Sequence, residues 1–131
     1  MITLTKGATT IELSDRLEWA DEFDWSPIEQ STAYSTTGAL LVDVAVKLAG
    51  RPITLQGTAT AAWITRAVCD TLQAWAAEAG TQFTLNLRGT ARAVIFDHAR
   101  GGFAAVPLWP LLDGEQDAGE LLAPTFRFLE V

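Results

Sequence analysis

The chain holds one histidine, His98, and one cysteine, Cys69. In FDHARGG the carboxylate of Asp97 directly precedes His98. A histidine base oriented by a carboxylate is half of a hydrolytic triad, and Cys69 could supply the nucleophile. Neighbours in an extended chain point to opposite faces, however, so the dipeptide is poor geometry for a coupled pair. The plain reading of His98 is a turn histidine. Cys69 lies beside Val68 in a helical pattern and reads as a small buried hydrophobe. A single cysteine allows no intrachain disulfide and no cysteine-based metal cluster. A zinc site would have to be built from carboxylates, and none stand at ligand spacing.

The remaining acids are numerous but unfocused. Asp15, Glu18, Asp21, Glu22, Asp24 and Glu29 form a run with Arg16 as its one base. Paired carboxylates cleave glycosides or hold calcium. Here they interleave with Leu17, Trp19, Phe23 and Trp25, the pattern of a solvated face opposite a buried one. LDGEQDAG, 112–119, has the composition of a calcium loop without its spacing or its terminal bidentate glutamate. LRGTAR and ARGGF have too few glycines for a phosphate loop and lead into no helix. No G-x-S-x-G elbow occurs. The residues therefore predict no catalytic, cofactor-binding or metal site.

What would position such residues is a set of short strands. Residues 2–5 and 9–13 read as strands around Lys6-Gly7. LLVDVAVKLA, 40–49, alternates clearly, with Val42, Val44, Val46 and Leu48 on one face. PITLQG, 52–57, follows too closely for a crossover and predicts an antiparallel hairpin with 40–49. SPIEQSTAYSTTGA reads as a long connection or edge segment, with Pro27 arguing against a central strand. Thr58 and Thr60 offer N-cap hydroxyls, and the spacing predicts a helix over 61–79. Ile64, Val68, Leu72, Trp75 and Ala79 form its apolar stripe, with Gly80 as its stop. Phe83, Leu85 and Leu87 share a face, and Gly89-Thr90 predicts a type II′ turn into 91–96. FAAVPLW and ELLAPTFRFLEV complete the strands. The fold class is mainly antiparallel β, a sandwich or partly open barrel, with one packed helix and a single domain over 1–131.

Composition narrows the partners. Nine basic residues face 16 acidic ones, a net charge of -7. That disfavours nonspecific nucleic-acid binding and anionic membranes alike. About half the residues are apolar. The polar, Thr-rich start reads as no secretory signal, and no run has the length of a membrane span. The expected place of synthesis and folding is a cytoplasm. Five tryptophans are present, and three of them are expected in the core.

LLVDVAVKLAGRPITLQG, AAWITRAVCDTLQAWAAEAG and FTLNLRGTARAVIFDHARGGFAAVPL together resemble the tail-tube fold family of long-tailed bacteriophages. RPITLQG is similar to the strand before the helix in distal tail proteins, and ARAVIFDH to the strand after it. The match runs from Leu40 to Leu108, about half the chain. Many distal tail proteins carry a second, C-terminal domain; the expectation for this chain is one domain, which leaves open which tail ring it would form. The resemblance implies a virion structural protein without catalytic residues. It implies a homo-oligomeric ring, hexameric or trimeric, near the baseplate or tail tip, through which DNA passes. Tube, hub and tape-measure proteins would be its partners. Trp19, Phe23, Trp25, Tyr34 and Trp109 are the expected oligomer-interface residues, with the 26–39 connection as a further contact region. Asp113, Glu115 and Asp117 would face the lumen, another ring or simply solvent. The rival readings are a monomeric β-sandwich module binding carbohydrate or peptide through Trp19, Trp25 and Trp109, and a small hydrolase using Asp97, His98 and Cys69.

Overall fold

The structure, a computed structural model, describes residues 1–131. It is mainly antiparallel β with one helix, sandwich-like and not closed. The body is a single curled sheet in the order β2-β1-β8-β9-β11-β6-β3. Its strands are β1 (Ile2–Lys6), β2 (Thr9–Leu13), β3 (Glu18–Trp19), β6 (Pro52–Gln56), β8 (Phe83–Leu87), β9 (Thr90–Phe96) and β11 (Leu121–Glu130). The short β7 (Ile64–Thr65) and β10 (Phe103–Pro107) also pair with β11.

β11 is the spine. One edge takes β6 over Thr125–Leu129 and then β7 at Leu121 and Leu122. The other takes β9 over Phe128–Glu130 and β10 over Leu122–Phe126. Two excursions interrupt these edges. At 57–63 the chain leaves the sheet after Gly57, whose N–H donates to Pro124 O at 2.7 Å. A Cβ at Gly57 would meet Pro124 Cδ at 2.7 Å and Ala62 O at 2.6 Å, so only glycine fits that crossing. At 97–102 a 3₁₀ turn bulges out opposite Arg127, whose N–H reaches Gly102 O at 2.7 Å.

The alternating apolar residues of this sheet form the core. Leu4, Ile53, Leu55, Leu85, Val94, Phe126 and Phe128 are fully buried. Phe83, Phe96 and Phe128 follow one another at 5.1 and 5.0 Å between ring centres, and Trp75 of the helix stacks on Phe83 at 5.7 Å. Along β11, Phe126 and Phe128 are buried while Arg127 between them points the other way and is half-exposed.

Three expectations change. The helix, α1, spans Arg66–Ala76 rather than 61–79. Ile64 and Thr65 spend their backbone groups on β11 instead, and Thr65, not Thr58 or Thr60, is the N-cap, its hydroxyl accepting from Val68 N at 3.4 Å. The N–H groups of Arg66 and Ala67 donate to Glu120 O and Ala118 O. Cys69, Leu72 and Trp75 are its buried residues. Second, Leu87 pairs with Thr90, so the two-residue loop is Arg88-Gly89, and both have positive φ, 53° and 79°. That is the signature of a type I′ turn. Third, 40–49 does not pair with 52–57. β5 (Leu40–Val46) pairs along its whole length with β4 (Ile28–Tyr34), forming a separate two-stranded sheet. The chain bends at Gly50-Arg51-Pro52 and passes there from one sheet to the other. Gly50 N–H donates to Glu130 O at 2.8 Å and Glu130 N–H to Arg51 O at 2.9 Å, committing β6 to β11.

Candidate interaction surface

The β4–β5 hairpin is an arm. Every residue of both strands is exposed, and no strand of the main sheet pairs with it. A tight bend at Ser35–Ala39 closes its tip, where Ser35 N–H donates to Ala39 O at 2.8 Å. At its base Lys47 N–H donates to Pro27 O, and the Lys47 ammonium lies 3.4 Å from Glu29 and over the Trp25 ring.

Cross-strand register sorts the arm's side chains into two faces. Ile28, Gln30, Thr32 and Tyr34 stand opposite Val46, Val44, Val42 and Leu40. That face is wholly apolar along β5 and mixed along β4, where Gln30 and Thr32 interrupt it. Glu29, Ser31 and Ala33 stand opposite Ala45, Asp43 and Leu41, giving a face with two carboxylates. Both long edges of the arm carry unpaired backbone groups. An isolated two-stranded hairpin is at best marginally stable in water. An exposed apolar face with free edges is the candidate interaction surface of this molecule.

The five expected interface residues are not gathered in one place. Tyr34 stands near the arm's tip and Trp25 at its root, where the guanidinium of Arg51 also lies over its ring. Phe23 is exposed just before the arm. Trp109 is exposed beyond β10, at the opposite end of β11. Trp19 is buried: its ring lies beneath the guanidiniums of Arg51, Arg88 and Arg92, at 4.8, 5.4 and 5.4 Å. With Trp75 it makes two buried tryptophans rather than three; Trp63 and Trp109 are exposed and Trp25 half-buried. Ile28 falls within the expected 26–39 contact region; the exposed apolar side chains that sequence reasoning did not single out for contact are Leu40, Val42, Val44 and Val46. Their alternation is that of a half-buried strand, and nothing in the pattern says that the cover is absent from this chain.

The residues of the hydrolase reading are partly brought together. Cys69 and His98 line one cleft of about 390 Å³ between α1 and β10, along with Asp70 and Gln73. Asp97, however, turns to Arg100, accepting its Nε at 2.5 Å, and no hydrogen bond joins it to His98. Burial, reinforced by Asp70 and Glu120 and opposed by Arg66, pushes the Cys69 thiol up to about 11. At neutral pH it is protonated, the form that is not nucleophilic. The acidic run serves as fastening. Asp15 accepts Ile2 N–H at 2.9 Å, Asp21 accepts Thr54 N–H at 2.8 Å and its hydroxyl at 3.0 Å, and Glu22 pairs with Arg88. Nowhere do three His, Cys, Asp or Glu side chains converge as a metal ion requires. No helix is long and apolar enough to cross a membrane.

Comparison with protein-family models, curated proteins and solved structures finds no match for this chain.

Proposed function

We propose that the chain is a structural subunit that assembles with copies of itself into a closed ring, as a tail component of a long-tailed bacteriophage near the baseplate or tail tip. One observation carries the reading: the arm, with an apolar face, an acidic face and two free edges, has no cover within its own chain. A neighbouring copy can cover the apolar face and take up an edge by main-chain pairing. Repeated around a closed rotation, each copy gives one edge and receives another, so no edge is left to drive uncontrolled growth. The sandwich with one flanking helix agrees with the tail-tube resemblance. In such a ring Glu29 and Asp43 line the bore. DNA phosphates are repelled there and the nucleic acid slides without sticking. Six-fold or three-fold closure suits this arrangement, with tube, hub and tape-measure proteins as axial neighbours.

A cryo-electron reconstruction of the particle tests the proposal. The expected result is a symmetric ring of this chain with the arms inward. Absence from the tail, or a single non-symmetric copy, would sink it. In parallel, Val42→Asp with Val44→Asp should abolish assembly while leaving the thermal unfolding of the subunit unchanged.

A further inference from the structure

The arm leaves the body beside a second feature that the ring reading does not use. At its root, Trp25, Leu48, Arg51, Arg92 and Glu130 line a hollow of about 130 Å³. Arg92 has a carboxylate partner there, Glu130, at 3.1 Å. Arg51 has none. Its Nη2 donates to the backbone oxygen of Glu22 at 2.7 Å, and its guanidinium lies 4.8 Å from the Trp19 ring centre and 5.8 Å from that of Trp25. Arg88, bound to Glu22, is the third cation around Trp19. Three guanidiniums thus meet two carboxylates. The Nε groups of Arg51 and Arg92 and the Nε1 of Trp19 are all buried without an acceptor. Buried donors without partners are costly, and a cluster of them beside an uncompensated cation is a demand for an anion. The planar guanidinium fork matches a carboxylate best.

The opposite end of the spine offers the complement. Asp113, Glu115 and Asp117 are exposed in the 108–120 loop, and none is in an ion pair. No Lys or Arg occurs between residues 101 and 126. Beside them Val106, Trp109 and Leu112 are exposed apolar side chains. The loop joins β11 at Leu121, and the arginine hollow sits at Glu130. Ten residues of strand, roughly 33 Å, separate the two. Complementary surfaces at opposite ends of one subunit meet head to tail around a ring, the arrangement the ring reading requires, whereas an antiparallel two-fold pair would join the same surfaces twice and stop at two copies.

The geometry points to a heterologous contact in which the acidic 113–117 loop of one copy enters the Arg51–Arg92 hollow of the next, with Val106, Trp109 and Leu112 against the base of the arm. This deepens the ring reading and rests on it, since it names the second half of the contact between copies. Its chemistry is a carboxylate between two arginines and an indole, so it weakens with salt.

Charge reversal tests it. Asp113→Lys, Glu115→Lys and Asp117→Lys combined alter only exposed side chains, so the melting temperature should not move. Sedimentation equilibrium at low salt should show association weakened at least about ten-fold, and joining Arg51→Glu to the reversed loop should recover most of it. Association unchanged by loop reversal overturns the contact. If Val42→Asp with Val44→Asp then still abolishes assembly, the ring stands without it; if neither change matters, both readings fall. For a chain that stays monomeric, a synthetic peptide of residues 108–120 is titrated against it while the Trp19 and Trp25 indole NMR signals are followed. Shifts lost in Arg51→Gln support the contact. No shift at millimolar peptide overturns it, as does inorganic phosphate moving those signals when the peptide does not.

Discussion

Two stretches of this chain alternate in the same way and end in opposite surroundings. In β8, Phe83, Leu85 and Leu87 are at most 3% exposed. In β5, Val42, Val44 and Val46 are 46%, 59% and 64% exposed. By residue type β5 is the stronger strand, since three valines suit a pleated surface well. The difference lies in the neighbours. β8 is paired on both edges, by β1 and β9, and its inner face meets Trp75 and Phe96. β5 has one partner, and both faces of the pair are open. Alternation therefore records that a face is meant to be covered. It does not record which molecule covers it.

The largest effect should come from the side of this comparison that is closed. Leu72 is fully buried on α1, one turn from Cys69 and Trp75. Leu72→Ala should cost about 2–5 kcal/mol, because the sheet beneath cannot collapse into the space. Urea unfolding of the isolated subunit measures it. A cost below about 0.5 kcal/mol would mean that the helix does not belong to the core, and the contrast between body and arm would lose its fixed end.

The helix also shows how far the sequence can be read. Its stripe of Val68, Leu72 and Trp75 was legible, because 3.6-residue spacing survives any ambiguity at the ends. Its start was not. Ile64 fits a helical stripe and a strand equally well, and pairing with Leu122 decided for the strand. The hairpins with two-residue loops were legible within a residue or so. The misread pairing was the one that needed a long view. Residues 52–57 are near 40–46 in sequence, but β11, some seventy positions later, outcompetes β5 for them. On the candidate surface, the exposure of Tyr34 and the extended character of 26–39 were legible, but that 28–34 is a full strand paired with 40–46 was not. Arg51 was not, because its value lies in Trp19, Trp25 and Arg92 arriving from three other segments.

A middle-sized effect should appear only in alkali. The Cys69 thiol, ordinarily near 9.0, is pushed to about 11, chiefly by burial. Below pH 9 both folded and unfolded chains keep the proton, and the contribution of the neutral thiol is complete. As pH rises from 9 to 11 the unfolded chain loses its proton first, so stability falls, levelling off above the folded value. The loss should be of order 1–3 kcal/mol. Cys69→Ala lowers stability at every pH through its cavity but should remove this slope. Equal alkaline slopes in the two proteins would show that Cys69 is wet in the folded state and that this face of the body is more open than the sheet implies.

The smallest effect on the subunit should come from the arm, and that is where its interest lies. Val44→Thr exchanges a methyl for a hydroxyl at a position already 59% exposed. With nothing packed above it, the isolated subunit should change by less than about 0.5 kcal/mol. Amide hydrogens of 28–34 and 40–46 should exchange quickly, since a two-stranded pair bare on both faces opens easily. In the assembled state the same amides should become protected, and the same substitution should weaken assembly, because a hydroxyl would then be buried without a partner. A cost above about 1 kcal/mol in the isolated subunit, or slow exchange there, would mean that the arm is already covered by its own chain. The two halves of the measurement separate a strand that is stable in itself from one completed by another copy. Fast exchange in the isolated chain with protection on assembly marks the second, and an apolar face left bare in water is the observation that makes the two outcomes worth separating.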